Sequence, residues 1–222
     1  MEIAGWLQRL LPDVEPVGDG PCWVAWAKTR TPEHHPPFYW LGRALDAVED
    51  AGATEMVGAR LLAAHGPGRC PGWSEQDERA QDVLSEACAL AWVSQHLGRA
   101  EPVPAGDGRL LLHVPAIEAC VAPRRLWPAR TLEALLDRLG EQAAGAAADL
   151  DAATCKGSRP DGGRLLYLDL SLDRRAYARD VGYDGPLTEP VRAWLEHQCA
   201  EHRLGWVLTR PFQWGVPLEA WY

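Results

Sequence analysis

Apolar side chains recur along this chain in two rhythms, one with the period of a helix and one nearly continuous over short runs. The helical rhythm is clearest after Ser74. Ala80, Val83, Leu84, Ala87, Leu90 and Ala91 fall on one face, and Gly98 closes the run. Ser74, with Asp77 three residues on, makes a capping-box-like start. Glu78, Asp82 and Glu86 fall opposite at about 100° per residue, which predicts a solvated acidic stripe. Thr131 opens a second such helix, carried by Leu132, Leu135, Leu136, Leu139, Ala143, Ala146, Ala147 and Leu150. Further helices are expected over 38–50, stopping at Gly52, over 53–64, and over 188–203, where Pro190 is tolerated in the first turn.

The shorter runs read as strands. Cys22–Ala27 is one, followed by a proline-rich loop at His34, His35, Pro36 and Pro37. Arg109–Val114 is a second, and Ala116–Val121 a third extended piece beyond Pro115, which cannot donate to a ladder and so marks a turn or edge. Leu165–Leu170 is apolar throughout, as the middle of a sheet requires. Gly205–Leu208 and a final hairpin arm within 212–222 complete the set. Helix and strand alternate from Ser74 onward, which predicts an α/β fold of three layers with a mixed central sheet flanked by helices. The glycines and prolines of 66–72 divide an N-terminal layer, 1–66, from an α/β core, 74–222, within a single domain.

Composition narrows the function classes. An apolar fraction of 47% and a charged fraction of 24% are those of a globular protein. A net charge of −9 repels nucleic acid at long range, and Lys28 and Lys156 are the only lysines available to any mechanism. No apolar run reaches the ~20 residues of a membrane span, and the start of the chain lacks the pattern of a secretory leader, so a cytoplasmic location is expected. Cys22, Cys70, Cys88, Cys120, Cys155 and Cys199 stand far apart without zinc-type spacing, which predicts reduced, mostly buried thiols. The 11 tryptophans include Trp6, Trp23, Trp26, Trp40, Trp73, Trp127, Trp206, Trp214 and Trp221 near expected turns, termini or strand edges. Some are expected in a groove or a contact with a protein partner or a second copy.

One set of residues carries a family resemblance. Asp107 precedes the strand 109–114, Glu118-Ala119-Cys120 follows on the next extended piece, Gln142 lies in the long helix, and a strand ends Tyr167-Leu168-Asp169-Leu170-Ser171. This order over 74–171 resembles the core of the PD-(D/E)XK superfamily. The resemblance implies a restriction-endonuclease-like core, with Asp107 and Glu118 in the place of two Mg²⁺-binding carboxylates and Cys120 in the place of a water-activating lysine. Two carboxylates on one cation would orient water and neutralise charge building on a phosphate.

This chain departs from that pattern. No proline precedes Asp107, two glycines flank it, and cysteine replaces lysine. Arg124 and Arg125 are poor proton acceptors because guanidinium stays protonated. The expectation is therefore a non-catalytic or barely catalytic interaction module with no cofactor. A Mg²⁺-dependent nuclease using Asp107 and Glu118 is the first alternative. A small-molecule or acyl-transfer enzyme with Cys120 as nucleophile and His113 as base is the second. If the resemblance holds, Asp107, Glu118 and Cys120 converge at one end of the sheet. Asp169, Ser171 and Asp173 alternate at a strand end and read as an ordinary terminus, with Asp173 as a cap.

Overall fold

A computed structural model describes residues 36–65, 75–106, 108–126, 131–153, 163–169, 188–209 and 217–221. The expected strand Cys22–Ala27 and the cap at Ser74 lie outside them. The chain divides into two compact units, Met1–Ser94 and Gln95–Tyr222. The division falls near the end of a helix.

The first unit contains α1 (Pro36–Asp50), α2 (Thr54–His65) and most of α3 (Glu75–His96). Helix α1 begins at Pro36, inside the stretch expected as loop, because proline at the first turn forfeits no hydrogen bond the helix would make. It ends in a Schellman cap. Gly52 takes φ +66°, its N–H bonds the Glu49 carbonyl at 2.9 Å, and the Ala53 N–H bonds that of Val48 at 2.8 Å.

The acidic stripe expected on α3 is not fully solvated at its described members, Asp82 and Glu86. Glu86 is buried and accepts two hydrogen bonds from Arg60 of α2, one from Nη2 to Oε1 at 3.0 Å, while Asp82 is half-buried. Val83 to Leu90 are buried without a break, so this stretch is enclosed on every side. Periodicity located the apolar face and could not show that a partner also covers the polar one.

The second unit is built on a six-stranded sheet in the order β1-β2-β3-β4-β5-β6. The strands are β1 (Glu101–Pro104), β2 (Leu110–Val114), β3 (Ala119–Arg125), β4 (Arg164–Asp169), β5 (Gly205–Thr209) and β6 (Pro217–Trp221). β1, β2 and β3 form an antiparallel meander, β3, β4 and β5 run parallel, and β6 returns antiparallel to β5. The α/β class and the mixed sheet are as expected. Helices α4 (Leu132–Ala152) and α5 (Thr188–Glu201) supply the two parallel crossovers. The order β3-β4-β5 advances in one direction, so crossovers of one hand lay both helices on the same face.

That face carries the even-numbered side chains: Cys120, Ala122, Leu166, Leu168, Trp206 and Leu208 pack with Leu135, Leu139, Ala143, Val191 and Leu195. The odd-numbered face, with Val121, Pro123, Leu165, Tyr167 and Val207, is buried as well. Thr131 caps α4, its hydroxyl accepting from the Ala134 N–H at 3.1 Å. Helix α5 closes on a second Schellman cap, with Arg203 at φ +53° and the Leu204 N–H on the Cys199 carbonyl at 2.8 Å.

Two strands differ from expectation. β1 was not anticipated, because Pro102 and Pro104 read as loop. The Cys120 N–H points to β4, bonding the Gly163 carbonyl at 2.8 Å, so the His113–Cys120 pair exchanges no backbone hydrogen bonds. His113 therefore turns its amide toward Glu101, and alternation leaves the nitrogens of Pro102 and Pro104 on the outer edge of β1. The second difference is at 116–121. Pro115–Ile117 form a 3₁₀ turn, and β3 begins only at Ala119.

Among the described residues no helix is long and apolar enough to cross a membrane. Leu168, fully buried in β4 against α4, is the test of this core. Leu168→Ala is expected to cost about 2–5 kcal/mol in urea unfolding. A loss under about 0.5 kcal/mol would show that the strand is peripheral.

Candidate functional site

The meander decides where the candidate residues lie. β1 turns into β2 through three residues: the Gly108 N–H bonds the Ala105 carbonyl at 3.0 Å, the Ala105 N–H bonds the Arg109 carbonyl at 2.8 Å, and Gly108 takes φ +81°. This is a turn closed by a left-handed residue, for which glycine is suited. Asp107 itself lies outside the described residues, but Gly106 and Gly108 on either side of it stand at the start of β2. Glu118 stands beyond the other end, after the 3₁₀ turn, exposed, at φ +49° and ψ +37°.

Five strand residues at about 3.4 Å each separate the two turns. The expected convergence of Asp107 with Glu118 and Cys120 lies outside the described residues. Glu118 and Cys120 do not share a strand face. Glu118 is in the turn and faces solvent, whereas Cys120 is in β3 and buried.

His113 and Cys120 do meet. They are Cα partners on neighbouring antiparallel strands, in the class of pair whose side chains approach more closely. On the other side of His113, Glu101 is its partner, with Oε2 3.7 Å from Nδ1. Arg164 is the partner of Cys120 on β4, its guanidinium held by the Ala147 carbonyl and by Asp151, each at 3.0 Å. A polar row, Glu101–His113–Cys120–Arg164, thus crosses four strands on the face of α4.

Cys120, however, is disulfide-bonded, and offers no free thiolate for the acyl-transfer chemistry expected of it. The expectation of reduced cysteines fails at this position, because distance along the chain sets no limit on distance in space. Cys88 and Cys199 are buried and form no disulfide. Burial pushes the Cys199 thiol up to about 12, which keeps it protonated and inert.

A second polar row was missed. Arg125, Asp169 and Thr209 are register partners at the C-terminal ends of β3, β4 and β5, all buried, and Asp169 fully so. Parallel sheets commonly bind ligands at this end. Here opposite charges lie on neighbouring strands, and the Asp169 carbonyl takes the Leu126 N–H at 2.9 Å. The available signal was a strand ending in two arginines facing one ending in aspartate. Ser171 and Asp173 lie outside the described residues.

Arg124 points the other way, to Asp149 of α4 and the Pro123 carbonyl. Among the tryptophans placed near edges, Trp206 is a core residue. Among the described residues no three histidine, cysteine, aspartate or glutamate side chains gather to hold a metal. Comparison of the chain with protein-family models, curated proteins and solved structures gives no match.

Glu118 occupies a left-handed conformation that costs a non-glycine residue about 1 kcal/mol. Glu118→Gly is expected to raise the unfolding free energy by up to about that amount. Stability that falls in urea titration would instead assign the carboxylate an anchoring contact worth more than the backbone strain.

Proposed function

We propose that this chain is an interaction module with a restriction-endonuclease-like core and no useful nuclease turnover, acting in a protein or nucleoprotein assembly in the cytoplasm. Element order supports the kinship: helix α3, the β1–β2–β3 meander, helix α4, then β4. The observation that supports the loss of catalysis is Cys120, buried and disulfide-bonded where the resemblance would place a lysine. A sulfur held in a disulfide cannot take the place of an amine that activates water. The net charge of −9 favours a protein partner or a second copy over nucleic acid. The β1 edge does not suit strand addition, since Pro102 and Pro104 put no donor on it.

Purified chain incubated with plasmid DNA and with single-stranded RNA, in Mg²⁺ or Mn²⁺, is expected to leave both intact. Metal-dependent cleavage abolished by Asp107→Ala and by Glu118→Ala would overturn this reading and restore the nuclease.

A further inference from the structure

We draw no further inference here: the strongest candidate, the buried side-chain row of Arg125, Asp169 and Thr209 at the C-terminal ends of β3, β4 and β5, carries no proposal, because each of these strands runs on into residues outside those described and nothing in the structure shows what covers the row.

Discussion

The pairing of β3 with β4 constrains everything around it. These two parallel strands lie in the middle of the sheet with both faces closed to water, so each polar side chain they carry must find its partner inside the protein. A buried charge stripped of its partner costs about 3–5 kcal/mol. The arrangement of α4 answers that demand. Arg124 reaches Asp149 and Arg164 reaches Asp151 and the Ala147 carbonyl, so the C-terminal half of α4 is tied to both strands by guanidinium groups. Arg164 also reaches the His202 carbonyl just past α5, at 3.4 Å. The two crossover helices are thus held to the sheet by charge as well as by leucine and alanine packing. These arginines belong to the scaffold and are not available to a substrate.

The same pairing explains how much of the fold was legible. Helix α4 and strand β4 were readable because their periodicities are strong and nothing interrupts them. Thr131 and Gly52 marked helix ends by capping chemistry that acts over a few residues. The limits of β3 were hidden. Pro123 reads as a breaker, yet it sits where β3 outlasts its pairing with β2, whose last register partner on this side is Val121. Its missing N–H falls where the ladder with β2 has already ended. β1 was hidden for a related reason: an edge strand tolerates proline at alternate positions, and two prolines in four residues look like loop. Gly163 is another constraint visible only in space. A Cβ there would stand 3.0 Å from the Ala119 Cβ, so the close approach of β4 to the start of β3 favours glycine.

The candidate site was less legible than the fold. Glu118 and Cys120 are two apart in sequence, and strand alternation seemed able to put them on one face. The 3₁₀ turn of Pro115–Ile117 does the opposite, leaving Glu118 exposed ahead of β3 and Cys120 buried within it. The converse holds for Glu101, His113, Cys120 and Arg164, which are distant in sequence and stand abreast. Strand limits and register, which local pattern does not encode, decide these outcomes. Glu86 teaches the same lesson on a helix, where a polar face proved to be the seat of a buried ion pair with Arg60.

The prolines of β1 bear on crowding as well as on folding. A sheet polymerises by adding strands only if each molecule presents two competent edges, one to accept and one to extend. With donors removed at 102 and 104, this sheet has lost one of them. Open-ended growth by strand addition is therefore closed to it at that edge.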